Sequence, residues 1–227
     1  MSPFLATGGG YRKLKAYKLS AIIYDLSVIF AAKFVRRNSR TRDQIEQAAR
    51  SGKQNIAEGS KASATSRETE IKLTNVAKAS LEELLLDYED FLRQNSLPQW
   101  DKTHPRTEKL RLYVKSEDFL RAPTLHVEHM TAEELCNLCI TLINQTTYLL
   151  RRLIERQQEQ FLQHGGIREQ MHNARIHYRT QLQQAHMART SRTVRTSQTG
   201  QTSRTFLSNH ANNPNPANPP EDPNLSK

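Results

Sequence analysis

Ala48-Ala49-Arg50-Ser51-Gly52-Lys53-Gln54-Asn55-Ile56-Ala57-Glu58-Gly59 is the stretch on which the reading of the fold turns. Ile45, Ala48, Ala49, Gly52, Ile56 and Ala57 recur at three- and four-residue steps, which puts them on one face of a helix. That face is narrow and made of small side chains, so another helix can approach it closely. Upstream, Thr41 with Gln44 three residues later fits a capping box that would open this helix. Gly59 is expected to close it as a C-terminal cap. Asn55 and Glu58 belong to the same motif, and their expected role is structural. Asn55 would bond across to a neighbouring helix or the following turn. Glu58 opposes the helix dipole at this end and would need a partner in the 60–66 turn, or Arg50 or Lys61.

Residues 60–64 read as a polar turn. Thr65 with Glu68 forms a second capping box, opening a third helix that runs to about Arg93. Its positions Ile71, Leu73, Val76, Ala77, Leu81, Leu84, Leu85, Tyr88, Phe91 and Leu92 keep helical spacing. Before the motif, a first helix is expected from Tyr11 to Arg37. On a helical wheel its apolar residues form two opposed groups. Leu14, Tyr17, Ala21, Tyr24, Val28, Ala31 and Val35 make a heptad stripe. Leu19, Ile22, Ile23, Leu26, Ile29 and Phe30 lie opposite. A helix apolar on two faces needs two partners, and one bundle covers only one of them. The other face predicts oligomerisation. Tyr17, Ala21, Tyr24 and Val28 are the candidate oligomer contacts, though the sequence does not choose between the stripes.

Residues 94–130 form a long mixed connection in which Pro98, Pro105 and Pro123 interrupt any continuous helix. Trp100 and the run Leu110, Leu112, Tyr113 and Val114 suggest that part of it packs, with Trp100 as an anchor. Thr131 with Glu134 is a third capping box. It opens a fourth helix with Leu135, Leu138, Leu142, Leu149 and Leu153 on its apolar face, ending near His164 before Gly165-Gly166. A shorter helix is expected from Ile167 to about His186. From 189 onward the chain is rich in Ser, Thr, Arg and Gln, then in Asn and Pro. Such a segment buries too little apolar surface to offset its chain entropy and is expected to be disordered. The expected layout is therefore a flexible leader at 1–10, a bundle at 11–164 with an insertion at 94–130, a suffix helix at 165–188 and a disordered tail at 189–227.

The chain has 227 residues and a net charge of +10. Residues 1–95 hold 16 Lys/Arg against 11 Asp/Glu, and residues 167–227 hold 8 against 3. A basic protein attracts polyanions, of which nucleic acid is the commonest. The candidate contacts are Arg36, Arg37, Arg40 and Arg42 at the junction of the first two helices, followed by Arg50 and Lys53. Arg189, Arg192, Arg195 and Arg204 in the tail suit sequence-independent phosphate contact but lack aromatic neighbours for stacking.

No catalytic constellation is visible, so an enzyme is not expected. There is no phosphate-cradling glycine loop and no nucleophile elbow. His126, Glu128 and His129 lack a third placed ligand, and neither a metal nor a cofactor is expected. Cys136 and Cys139 share one helix face amid leucines and read as core. The two cysteines imply no disulfide framework, no stretch approaches a membrane span, and the N-terminus lacks a signal core. These features predict a soluble protein of the cytoplasm.

Residues 11–95 and 131–163 resemble the four-helix-bundle family that includes the proteins encoded in intervening sequences of bacterial large-subunit ribosomal RNA. The same family includes the accessory variability determinant proteins of diversity-generating retroelements. The resemblance rests on Tyr17 and Tyr24 in the first helix, on the span from Gln44 through Asn55-Ile56-Ala57-Glu58-Gly59, and on Ala79-Ser80-Leu81-Glu82-Glu83-Leu84. Phe161 to Arg179, with Gly165-Gly166, is similar to a suffix region found in a subgroup. The resemblance implies an all-α, up-down four-helix bundle, often a pentamer with a positively charged surface. It also implies a nucleic-acid-binding partner of a reverse transcriptase. Set against this is a helical protein–protein scaffold whose charge is incidental. The 94–130 insertion and the tail depart from the short form of the family.

Overall fold

A computed structural model describes residues 10–101, 103–125 and 127–208, with 192–208 as backbone only. The secondary structure of the described residues is entirely helical. Among the described residues seven α-helices follow one another: α1 (Lys15–Phe34), α2 (Arg40–Ala62), α3 (Arg67–Gln94), α4 (Pro105–Tyr113), α5 (Glu117–Arg121), α6 (Ala132–His164) and α7 (Ile167–Ser208). Short 3-10 turns occupy Gly10–Lys13 and Val127–His129. The chain divides into two compact units at His172/Asn173.

The first unit holds the core. In it α1 packs on α2 and α6, and α3 packs on the same two helices. One stripe of α1 faces inward: Leu19, Ile22, Ile23, Leu26 and Phe30 are buried. The opposite stripe, Tyr17, Ala21, Tyr24 and Val28, is only half-buried. The choice that the sequence leaves open is thus made by packing. Phe30 sits edge-on to Tyr88 and Phe91 of α3, with ring centroids 5.0 and 4.9 Å away. Such pairs add about 1 kcal/mol beyond the area they bury. Buried Tyr88 donates from its hydroxyl to Ser27 Oγ at 3.0 Å, and Ser27 donates to the Ile23 carbonyl at 2.7 Å. The hydroxyls of Tyr88 and Ser27 thus both have partners where they enter the core, as burial requires.

The small-residue face of α2 meets α3. A Cβ built on Gly52 would stand 2.7 Å from Cδ2 of the fully buried Leu81, so that side chain would have to shift. Ser51 and Ser80 share a hydrogen bond of 3.0 Å across the same seam. Gly59 is not a cap. The helix runs on to Ala62, and Gly59 is buried where a Cβ would lie 3.2 Å from the Glu70 carbonyl and 3.3 Å from Leu73 Cβ. Close approach of α3, rather than backbone conformation, is what a side chain at 59 would obstruct. Gly165, by contrast, ends α6 at φ 66°, in the left-handed region that favours glycine.

Cap positions also shift. Ser39, not Thr41, caps α2, accepting from Thr41 N at 3.2 Å. Ser66, not Thr65, caps α3, accepting from Thr69 N at 3.1 Å. In both cases a serine lies one or two residues from the threonine of an S/T-x-x-E/Q pattern, and the local chain turn selects it. The third box holds as read: Thr131 accepts from Glu134 N, and Glu134 reaches back to Thr131 N at 3.1 Å. The first helix is shorter than expected, with Gly10–Lys13 split off as a 3-10 turn and Val35 already extended.

The connection between α3 and α6 is ordered by a few polar anchors. Asn137 of α6 is buried. Its Oδ1 accepts from Trp100 N at 2.7 Å, and its Nδ2 donates to the carbonyls of Pro98 and Glu133. Trp100 Nε1 donates to Glu133 Oε1 at 2.6 Å. Pro105 stands in the first turn of α4, where its missing N–H is not needed. Val114, Phe119 and Val127 are buried, whereas Leu112 points outward. Lys33 of α1 fastens the far end by donating to the carbonyl of Glu128 at 2.8 Å.

The second unit begins within α7. This helix was expected to stop near His186, with disorder from 189. Its backbone instead stays helical to Ser208. Its side chains are largely polar, and Ile176, Tyr178, Leu182 and Met187 are exposed. The leader at 1–9 and the tail segment 209–227 lie outside the described residues, as do the side chains of Arg192, Arg195 and Arg204.

Candidate functional site

Three segments position the basic residues singled out in the sequence. Arg36 and Arg37 follow the end of α1, Arg40 and Arg42 stand in the first turn of α2, and Arg50 and Lys53 lie further along α2. Arg40 and Arg50 are ten residues apart, so about 15 Å of helix separates them. The six therefore do not form one compact patch. Arg36, Arg37, Arg40 and Arg50 are exposed and have no ion pair among the described residues. Arg42 differs, because its Nε is held 3.2 Å from Glu46 Oε1. Lys53 is drawn over the face of Tyr24, with Nζ 3.7 Å from the ring centroid.

That last contact joins two assignments. Tyr24 is a candidate oligomer residue and Lys53 a candidate phosphate contact, yet they touch. The ammonium lies against a ring whose face attracts cations. Lys61 repeats the arrangement over Tyr11 at 5.7 Å. Two lysines of α2 thus lie over rings, one on α1 and one in the Gly10–Lys13 turn, and Tyr17, Ala21 and Val28 of the same α1 stripe are half-buried.

Where α2 meets α3 the surface is net acidic, chiefly through α3. A cavity of about 730 Å³ between α2 and α3 is lined by Arg40, Asp43, Glu83, Asp87 and exposed Leu86. Burial, and then the charges of Asp90 and Glu83, hold the Asp87 carboxyl above its usual range. Arg40 is therefore the only one of the six basic candidates that shares this acidic cavity.

Asn55 does not bond across to a neighbouring helix or the following turn but back within its own helix. Asn55 Nδ2 donates to the Ser51 carbonyl at 3.0 Å and to Ser51 Oγ at 3.1 Å, orienting the hydroxyl that meets Ser80. Glu58 is exposed and forms no ion pair among the described residues, so neither Arg50 nor Lys61 serves it. Gly59 is the close-packing position described above.

Cys136 and Cys139 are buried free thiols. Burial pushes the Cys139 thiol up to about 12 and raises Cys136 as well, so both stay protonated and unreactive near neutrality. Among the described residues, no group of three His, Cys, Asp or Glu is placed to hold a metal, and no helix is long and apolar enough to cross a membrane. His126 lies outside the described residues.

A second cavity, of about 470 Å³ and unforeseen in the sequence, lies between the α3–α6 connection and α6. Its walls include Trp100, Arg111, Lys115, Asn144 and Tyr148. A signal was present: Thr141, Asn144, Tyr148 and Arg151 fall at three- and four-residue steps, so they share a face of α6. Nothing local says that a distant segment would wall that face.

No protein-family model, curated protein or solved structure matches the chain.

Proposed function

We propose that this chain is a non-catalytic, oligomeric accessory protein of the cytoplasm that binds nucleic acid, DNA or RNA, with little sequence preference. The carrying observation is that Arg36, Arg37, Arg40 and Arg50 are exposed and without ion pairs among the described residues. Guanidinium groups left in water make phosphate contacts without first breaking an existing bridge. Membership of the intervening-sequence and accessory-variability-determinant family, with an up-down four-helix bundle and an insertion at 94–130, belongs to the same proposal. It is supported by the closed circuit of packing from α1 to α2, α3, α6 and back to α1. A reverse transcriptase is the partner this reading assigns. The half-buried stripe Tyr17, Ala21, Tyr24 and Val28 supplies the proposed contact between copies, which would repeat the basic junction around a ring.

The test is a fluorescence-anisotropy titration of a labelled duplex at several salt concentrations. Replacing Arg36, Arg37 and Arg40 together by Gln should lower the log–log salt slope by about 2 to 3, since each contact on a duplex contributes about 0.9. Helical content should stay unchanged. Absence of duplex, single-strand and RNA-hairpin binding at low salt would overturn the nucleic-acid reading. The second reading, a helical protein–protein scaffold, would then take its place. It is favoured by the acidic α2–α3 cavity with exposed Leu86, which repels phosphate and suits a basic, apolar partner.

A further inference from the structure

We infer that the groove between the inserted segment and α6 holds a stretch of single-stranded nucleic acid, with one base stacked on the ring of Tyr148. This rests on the nucleic-acid reading above but uses a different surface. Tyr148 is 55% exposed in the middle of a helix, an unusual place for a large ring with no packing duty. It lines two neighbouring cavities, one of about 470 Å³ and one of about 290 Å³, and Asn144 lines both as well. The ring therefore stands between two hollows of one groove.

Cations flank it on both sides. Arg111 and Lys115 line the first hollow, are exposed, and have no ion pair among the described residues. Arg151 lines the second and lies 5.4 Å from the Tyr148 ring centroid, with its Nε in a long, exposed pair 3.9 Å from Glu155 Oε1 that a phosphate can displace. Lys78, also in the second hollow, is held by Glu82 at 2.6 Å and contributes little net charge. Asp101 lines the first hollow. Its Oδ1 already accepts from Thr103 N, Thr103 Oγ1 and His104 N, so it serves a turn. Those bonds hold its carboxyl below the usual range. Trp100 offers no platform: His104 stacks on it at 5.0 Å and Arg106 lies 5.5 Å from its centroid. Tyr148 has Arg151 over its ring but no ring stacked on it among the described residues, so one of its faces is open to a base.

An aromatic face with cations on either side matches a strand that passes a base over the ring and carries a phosphate to each end. A duplex keeps its bases stacked inside and cannot present one to Tyr148. A lone nucleotide would use the cations of one hollow only. Asn144 and Gln145 can bond a base edge, and as amides they donate and accept, so they admit any base.

The test uses the full chain with a labelled 12-nucleotide thymidine strand and, separately, a labelled duplex. Tyr148→Ala should weaken single-strand binding about tenfold or more, the typical worth of one base–aromatic stack. It should leave duplex binding and helical content unchanged, and Tyr148→Phe should retain single-strand affinity. Arg111→Gln with Lys115→Gln should lower the single-strand salt slope by about 1.4. Equal single-strand affinity for wild type and Tyr148→Ala would overturn the inference while leaving the basic junction untouched. Displacement of the strand by thymidine monophosphate at comparable concentration would overturn it too, showing a mononucleotide site instead. If the junction triple variant binds duplex like wild type while Tyr148→Ala loses single-strand affinity, the junction fails and the groove stands.

Discussion

Among individual residues, Glu70 and Gln157 show the least settled chemistry in the core. Glu70 Oε2 and Gln157 Oε1 are both buried without a hydrogen-bond partner, while Gln157 Nε2 donates to Thr74 Oγ1 at 3.3 Å. Two acceptors are thus left without a donor. Burial raises the Glu70 carboxyl above its ordinary value of 4.5, against smaller lowering effects of Gln157 and Arg67. Because the folded value is raised, the stabilising contribution of the protonated form is complete below 4.5 and is lost as pH rises through the folded value. At pH 7 the charged form carries its full desolvation cost. Glu70→Gln removes the charge and adds two donors, so it should raise stability at pH 7 by about 0.5–1 kcal/mol, a modest figure because the site is half-buried. The gain over wild type should shrink towards zero below about pH 4, where wild-type Glu70 is itself neutral. Urea unfolding of both proteins at pH 7 and pH 3.5 checks this; a gain that is the same at both would show that charge is not the cause.

Individual elements differ in how far their ends can be read locally. Two of three capping-box patterns, at Thr41 and Thr65, gave way to Ser39 and Ser66, whereas Thr131 kept its place. Ser66 accepts from both Thr69 N and Thr69 Oγ1, while Thr65 only donates to the Ala62 carbonyl at 3.2 Å. Ser66→Ala should therefore cost about 1 kcal/mol, the usual worth of an N-cap. Thr65→Ala, at an exposed position outside α3, should change stability by less than about 0.5 kcal/mol. Thermal or urea unfolding ranks the two, and the reverse ranking would return the cap to Thr65. The α3–α6 connection makes the same point. Its prolines forecast interruptions, and Pro105 duly opens α4, but its order depends on Asn137, thirty-seven residues beyond Trp100.

For the whole molecule, the issue is what covers the second face of α1. Leu26 is fully buried and Tyr24 only half so. The two substitutions should fail differently. Leu26→Glu places a charge among packed apolar groups and should abolish cooperative unfolding, since burying an unpaired charge costs several kcal/mol. Tyr24→Glu should keep the helical spectrum and convert an oligomer to a monomer by light scattering, while giving Lys53 a carboxylate to pair with. A wild-type monomer at micromolar concentration would remove the proposed ring, and the half-buried stripe would then be simply the outer face of α1. Nucleic-acid affinity measured on the Tyr24→Glu monomer would separate the contribution of one junction from that of several.

What this sequence determined alone is local: that the chain forms helices, which residues punctuate them, and which helix has a face of small side chains. Periodicity, caps and the Gly165 stop act within a few residues, so they can be read without knowing the neighbours. The tertiary structure decided everything that depends on a partner far along the chain. It chose Leu19, Ile22, Ile23, Leu26 and Phe30 as the core stripe of α1, because α2 and α6 close on that side. It turned Gly59 from an expected cap into a contact with Glu70 and Leu73. It also set Arg111 and Lys115 beside Tyr148, residues more than thirty positions apart that share a groove only because the α3–α6 connection packs on α6.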